Sequence, residues 1–194
     1  SEIGVIADES ANPVHLAADL LSQAEHDPRA RAIMVTNSEK LANLVSDEVE
    51  RQLSQLPRES IARPAIENNS YIAVMDSVED MFTVMNEVAP EHLEIQLPDP
   101  MEYMSMVENA GSVFLGRYAS EPLGDYVGGT NHVLPTSGTA KFSSPLGVYD
   151  FVKRISFTQF SRERLQEVAK DITTLARTEG LEAHARAIEV RFEK

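Results

Sequence analysis

Short apolar runs alternate with amphipathic stretches over the first two-thirds of the chain. The apolar runs predict β-strands over residues 3–7, 32–35, 71–75, 93–97 and 112–115. The stretches between them predict helices over residues 13–26, 38–55, 77–88 and 101–109. The first of these helices has Asn12 as a candidate cap and Pro13 in its first turn. Strands and helices that alternate in this way are typical of βαβ units, so we predict an α/β fold with a mostly parallel sheet.

Glycines and prolines crowd the stretch from residue 116 to residue 147. A loop this long and irregular on a compact domain is commonly functional. Beyond it, helical patterns cover residues 161–177 and 181–190. The sequence therefore predicts an α/β domain over residues 1–141 and a helical C-terminal arm over residues 142–194. Because ligands of open α/β sheets bind at the carboxyl ends of the strands, we expect the chemistry at those ends and in the long loop.

The 194-residue chain has a net charge of −14, with 42% hydrophobic and 25% charged residues. These ordinary fractions allow a packed core. The acidity argues against nucleic acid and against anionic membrane surfaces as partners, because both require clustered Lys and Arg. No apolar run reaches membrane-spanning length and no secretory signal opens the chain, so we expect a cytoplasmic protein.

The chain contains no cysteine, so any metal that it holds is bound by His, carboxylate or amide oxygen. Gln23 and His26 are one pair of such donors, spaced i, i+3 near the end of the first predicted helix. An exposed polar helix end is the alternative, and the pair alone favours it. Glu91 and His92 are adjacent candidates for proton transfer, because His titrates near neutral pH and burial raises the pKa of a Glu.

The glycine-rich run over residues 124–132 contains Asp125 and His132. Its glycines allow the backbone to wrap tightly around a small ligand. A phosphate-binding loop is the competing interpretation, but the run matches neither the dinucleotide fingerprint nor the P-loop, and no Lys follows it. Glu179 and His184 flank the break between the last two predicted helices, where an ordinary solvated helix end is the alternative.

Taken together, these candidates and their surroundings resemble the histidinol dehydrogenase family. The resemblance spans the whole chain. The matching stretches are VIADESANP (residues 5–13), ADLLSQAEH (18–26), APEHL (89–93), AGSVFLG (110–116), GDY (124–126), TNHVLPT (130–136) and YDFVKR (149–154).

The resemblance implies a zinc ion that orients the substrate's nitrogen atoms rather than activating water. The implied zinc ligands are Gln23, His26, Asp125 and His184. The implied catalytic residues are Glu91 and His92, where His92 takes the hydroxyl proton in the alcohol oxidation and Glu91 activates the water that adds to the aldehyde. The implied substrate contacts are Ser1, Gln23, His26, His92, Asp125, His132, Glu179 and His184.

The implied reaction is the oxidation of L-histidinol to L-histidine through the aldehyde, with two NAD molecules in turn, at the end of histidine biosynthesis. The family's nicotinamide-contacting residues lie N-terminal to everything shown here. The resemblance therefore implies a C-terminal half that is inactive alone, with an incomplete Rossmann-like sheet domain. It also implies a homodimer that exchanges the C-terminal arm, so that Glu179 and His184 complete the partner's site.

Two other functions stay open on the residues themselves. A non-catalytic, zinc-binding dimerisation module would use the same ligands and arm without the chemistry. A zinc hydrolase on an α/β fold is the weaker alternative, because the chain lacks the His-Glu-x-x-His ligand spacing and such an enzyme keeps one metal position open for water.

Overall fold

The computed structural model describes residues 1–193 and divides into two compact units, residues 1–151 and a second unit that begins at Val152. A five-stranded parallel β-sheet runs through the first unit in the order β3-β2-β1-β4-β5. Its strands are β1 (Glu2–Ala7), β2 (Arg31–Thr36), β3 (Tyr71–Val74), β4 (His92–Gln96) and β5 (Ser112–Leu115). The prediction of an α/β fold with a parallel sheet is confirmed. From β1 the chain adds β2 and β3 on one side, and it then adds β4 and β5 on the other side of β1, as in doubly wound folds.

The α-helices of the first unit match the predicted amphipathic stretches in three of their five cases. They are α1 (Pro13–Ala24), α2 (Glu39–Leu53), α3 (Glu59–Asn69), α4 (Val78–Val88) and α5 (Glu121–Tyr126). The Asn12 side chain caps α1 by accepting a hydrogen bond from the Val14 amide at 2.9 Å. The helix ends at Ala24, so His26 lies beyond it and not within it. Residues Pro100–Met106 form a 3-10 helix where the pattern predicts an α-helix.

Helix α3 is one of two helices that the hydrophobic pattern does not predict. Pro64 lies inside it, and its N-cap residue Arg58 makes no side-chain capping bond. Nevertheless Ala62 and Ala65 are fully buried in the core that α1 and α2 also cover. Tertiary packing therefore forms this helix where local propensity does not.

The two faces of the sheet bury different side chains, and β4 shows the division most clearly. Successive side chains of a strand point to opposite faces. Leu93 and Ile95 pack into an apolar core together with side chains of α4. His92, Glu94 and Gln96 point to the other face, and all three are buried. A strand in the interior of the sheet thus presents a row of polar side chains on the face that α1 covers.

The second unit contains the helical arm, formed by α6 (Arg162–Thr178) and α7 (Glu182–Glu189), which pack on each other. Gly180 between them has a φ of +75°, which glycine adopts without strain. Arg177 of α6 pairs with Glu182 of α7 at 2.8 Å. Within residues 1–193, the structure has no helix with the length and apolar character needed to cross a membrane.

Candidate active site

Candidate residues of the first unit gather at the amino ends of β1 and β4, around Glu2, which the sequence analysis does not single out. Glu2 is the first residue of β1, His92 is the first residue of β4, and Gln23 lies in the last turn of α1. We expected the chemistry at the carboxyl ends of the strands, and the structure places these residues at the opposite edge. The reason is that α1 runs antiparallel to the strands and returns its last turn to their amino ends.

His92 makes a hydrogen bond through one ring nitrogen, and its other ring nitrogen faces a carboxyl group. Its side chain is buried, with 5% of the residue exposed, and its ring lies 6.1 Å from that of Phe114. Nδ1 lies 3.0 Å from the backbone oxygen of Glu2, and Nε2 lies 3.6 Å from Oε1 of Glu121. Burial is the largest influence on the ring and lowers the pKa of His92 below its ordinary value. The neutral ring therefore donates from Nδ1 to Glu2 and offers the lone pair of Nε2 to the site.

Glu91, like His92, is hydrogen-bonded to the backbone of Glu2. Its Oε2 accepts a hydrogen bond from the backbone amide of Glu2 at 3.2 Å. Burial raises the pKa of the Glu91 carboxyl, as a residue that takes a proton from water near neutral pH requires. The Glu2 carboxylate has two partners of its own. Its Oε1 accepts a hydrogen bond from Nη1 of Arg31 at 3.4 Å, and its Oε2 accepts one from the Ser137 amide at 3.1 Å. One residue thus positions both Glu91 and His92 through its backbone.

Asp125 lies on a helix and not in the glycine-rich loop where the sequence predicts it. Helix α5 places Glu121 and Asp125 one turn apart on the same face. The helix lies close to β5 because residue 124 is a glycine. A Cβ atom there would meet Cζ and Cε1 of the Phe114 ring at 2.8 and 2.9 Å. The absence of that side chain lets α5 reach the polar face of β4.

Glu121 is a residue of this cluster that the sequence reasoning missed. Only 2% of it is exposed, and burial, followed by the nearby charge of Asp125, raises its pKa to about 7. A signal for it exists in the sequence. Ser120, Glu121 and Pro122 are the residue types that usually begin a helix, with a serine at the cap position followed by an acid and a proline in the first turn.

Several donor atoms of this cluster have no protein partner. One ligand atom each from His92, Glu121 and Asp125 lie within 4.8 Å of one another, a spacing that a metal ion can bridge. Gln23 lies beside the Glu121 carboxyl and is 1% exposed, yet neither atom of its amide makes a well-formed hydrogen bond. Oε1 of Glu121 is unpartnered as well. Buried polar groups are normally satisfied, so these atoms make this cluster a candidate ligand site.

Comparison with known proteins identifies the family of this chain. The family model described as histidinol dehydrogenase matches residues 1–192. The chain belongs to the histidinol dehydrogenase family. It is 65% identical over 193 residues to the histidinol dehydrogenase of Lactiplantibacillus plantarum and 63% identical over 194 residues to that of Streptococcus mutans, with 100% of this chain and 45% of each relative covered. The chain therefore spans about half the length of the curated relatives it matches.

A solved structure agrees with this assignment. The crystal structure of histidinol dehydrogenase from Elizabethkingia anophelis matches 100% of this chain and 44% of its own, with a TM-score of 0.93 and 41% sequence identity. The resemblance to histidinol dehydrogenases seen in the sequence is thereby confirmed, and so is the sheet with its helical C-terminal arm.

The remaining candidate residues lie in two places in this histidinol dehydrogenase family member. His26 is exposed but close enough to His92 for its charge to lower the pKa of that ring. His132 is exposed, and its Nδ1 lies 3.8 Å from Oδ1 of Asp125. Ser1 is exposed and precedes β1 directly. Glu179 caps the carboxyl end of α6 and His184 lies in α7, so both belong to the second unit and both are exposed there.

Proposed function

We propose that this chain is the zinc- and substrate-binding half of an NAD-dependent histidinol dehydrogenase. The complete enzyme would oxidise L-histidinol to L-histidine through the aldehyde. The observation that carries the proposal is the buried, unpartnered set of polar atoms on Gln23 and Glu121 next to His92. A core without a ligand site would satisfy such groups internally, because an unpaired buried polar atom costs about 1–3 kcal/mol.

The donor types near this set fit zinc. Gln23 supplies an amide oxygen, His26 an imidazole nitrogen and Asp125 a carboxylate oxygen, and we propose that His184 from a partner subunit completes the four. Zinc accepts nitrogen and oxygen donors of these kinds. When bound, the ion would hold and orient the nitrogen atoms of histidinol beside His92.

We propose His92 as the base for the hydroxyl proton. Its Nδ1 is committed to the Glu2 carbonyl, and its lowered pKa keeps Nε2 unprotonated at neutral pH. We propose Glu91 as the base for the second oxidation, in which water adds to the aldehyde carbon. Glu91 would take one proton from that water as the carbon–oxygen bond forms, and its raised pKa makes it a suitable acceptor. His132 and Glu179 are proposed to contact the substrate, together with Ser1.

The proposed enzyme also needs NAD as a cofactor and a partner subunit. NAD accepts the hydride in each oxidation, and no Gly-x-Gly-x-x-Gly sequence occurs in this chain to hold it. We place the NAD contacts in the part of the relatives that this chain does not match. We also propose that residues 1–141 form the substrate-binding domain and that residues 142–194 are an arm exchanged within a homodimer.

The test uses the complete polypeptide, which contains this chain together with a segment that corresponds to the part of the relatives that this chain does not match. We expect bound zinc by metal analysis after dialysis, and NADH formation from histidinol with NAD. A complete polypeptide that binds no zinc and forms no NADH would contradict the proposal. Zinc binding and dimerisation without NADH formation would instead favour the non-catalytic dimerisation module.

A further inference from the structure

Glu94 is a fully buried carboxyl group that the proposed chemistry does not use. It lies in the middle of β4, with 0% of the residue exposed, on the same face as His92. Placing a carboxyl group there is costly unless it is paired and hydrogen-bonded. Its partners therefore show what it does in the fold.

Each oxygen of Glu94 has a defined neighbour. Oε1 accepts a hydrogen bond from the backbone amide of Glu121 at 3.0 Å, and Oε2 accepts one from Nε2 of Gln96 at 3.0 Å. The Asp19 carboxyl on α1 is near enough to Glu94 for each of the two groups to shift the pKa of the other. Burial raises the pKa of Glu94 to about 9 and also raises the pKa of Asp19.

The contact with Glu121 replaces a missing helix cap. The first amide groups of a helix lack partners within the helix, and a Ser at the N-cap position normally satisfies one of them. Ser120 occupies that position in α5 but makes no side-chain capping bond. The amide of Glu121 instead donates its hydrogen bond to the side chain of Glu94, which lies on β4. The start of α5 is thus anchored to β4.

The other partner lies on the helix that carries Gln23. Asp19 and Gln23 are spaced i, i+4 on α1, and Glu121 and Asp125 have the same spacing on α5. One turn of each helix therefore carries a residue that interacts with Glu94, Glu121 through its amide and Asp19 through its charge, and the next turn of each carries a proposed zinc ligand. The carboxyl pair lies between the two helices, one helical turn away from Gln23 and Asp125.

We propose that Asp19 and Glu94 are positioning residues, which fix α1 and α5 relative to β4 so that Gln23 and Asp125 face one ion. This inference rests on the proposed function for the identity of the ion. Partners that orient metal ligands typically affect metal affinity by about 10–100-fold when they are replaced.

Matched substitutions in the complete polypeptide test this role. Asp19→Ala and Glu94→Leu remove the link between the helices, and we expect each to weaken zinc binding by about 10–100-fold. Asp19→Asn and Glu94→Gln keep a hydrogen-bonding group of the same size, and we expect zinc affinity within about threefold of the unsubstituted protein. Asp19 is only half-buried, so its pair of variants remains informative if Glu94→Leu does not fold.

A control for general destabilisation lies on the same strand. Ile95 is buried on the opposite face of β4, and Ile95→Ala removes core volume without touching the carboxyl pair. We expect this variant to lower the melting temperature and leave zinc affinity unchanged. Equal weakening of zinc binding by Ile95→Ala and Asp19→Ala would show that the pair is merely structural, and unchanged affinity in both Asp19→Ala and Glu94→Leu would overturn the proposal.

Amide hydrogen exchange separates this inference from the proposed function. In the zinc-free protein we expect Asp19→Ala to speed exchange at the Glu121 amide, while amides in α4 exchange at their original rate. Unchanged exchange at Glu121 would contradict the positioning role whether or not the protein binds zinc. An unsubstituted protein that binds no zinc, but shows the expected change in exchange, would contradict only the proposed function.

Discussion

Nδ1 of His92 lies 3.0 Å from the backbone oxygen of Glu2. A carbonyl oxygen only accepts hydrogen bonds, so the neutral ring carries its proton on Nδ1 and leaves Nε2 free to accept one. Nε2 faces the cluster of Glu121 and Asp125. The first strand of the fold therefore determines which nitrogen of His92 is available as a base.

His92→Asn in the complete polypeptide should lower the turnover of histidinol by about 10²–10⁴-fold, the usual effect of losing a general base. Zinc content should stay the same, because the proposed ligands are untouched. Steady-state NADH formation and metal analysis measure the two effects. His15→Asn is the control, since His15 is exposed on α1 and has no proposed role in the chemistry. A loss of less than about threefold in His92→Asn would remove His92 from its proposed role.

Glu91→Gln should spare the oxidation of the alcohol and impair the oxidation of the aldehyde. Only the second reaction needs a base for water, and Gln retains an acceptor for the Glu2 amide but cannot take the proton. Supplying histidinol or the aldehyde as separate substrates, with NADH absorbance as the measurement, resolves the two steps. Equal damage to both oxidations would be inconsistent with the role proposed for Glu91.

The periodicity of the chain predicts the sheet well, because buried parallel strands leave short apolar runs between amphipathic helices. All five predicted strands exist, with ends shifted by a residue or so. The same reasoning finds α1, α2 and α4, whose Asn or Ser caps are read directly from the sequence. The candidates Gln23, Glu91, His92 and Asp125 also lie in one region of the first unit, although at the edge opposite to the expected one.

Two helices escape prediction for a common reason. α3 contains Pro64, and α5 contains Pro122 and Gly124, which are residues typical of turns. In α5 the proline occupies the first turn, where it needs no amide partner, and the glycine meets a steric demand from Phe114. Glu121 was missed along with its helix. The first amide of α5 is capped by Glu94, a buried acid on β4, and no local sequence pattern predicts that contact.

Gly124→Ala should destabilise the first unit, because the new Cβ atom would lie 2.8 Å from the Phe114 ring. Overpacking of this kind typically costs about 1–3 kcal/mol. Gly147→Ala is the matched control, since its Cβ atom would meet nothing closer than 3.9 Å. Denaturant unfolding of the zinc-free protein measures both changes. If Gly124→Ala lost no more free energy of unfolding than Gly147→Ala, the close approach of α5 to β5 would be refuted.

The free energy of unfolding should fall as pH rises from mildly acidic to alkaline values. Folding raises the pKa of the Glu94 carboxyl from 4.5 to about 9, so the folded protein keeps a proton that the unfolded chain has lost. Each such proton gives a slope of up to about 1.4 kcal/mol per pH unit, and the stability falls with rising pH. Glu94→Gln should flatten this dependence between about pH 5.5 and about pH 8 in zinc-free protein. Urea unfolding at several pH values tests this, and an unchanged slope would show that Glu94 holds no such proton.

The 194-residue chain on its own should form no NADH from histidinol, because it lacks a dinucleotide-binding sequence to hold the hydride acceptor near the substrate. It should still tend to dimerise, since exposed apolar side chains such as Leu175 remain to be covered on the arm. Size-exclusion chromatography with and without zinc, beside an absorbance assay, measures both properties. NADH formation would show that the NAD site is in this chain, and a strictly monomeric chain would remove the argument for arm exchange.

The hydrogen bond from the Ser137 amide to the Glu2 carboxylate joins positions that are 135 residues apart. Contacts between such distant positions form late in folding, because the entropy of closing a long loop must be offset first. No short segment of the chain can assemble the site by itself, since it needs β1, the end of α1, β4 and α5 together. A ligand bound there consequently opposes the global unfolding of the first unit, and its protection should extend to the slowest-exchanging amides of the central strands and not only to those around the ligand.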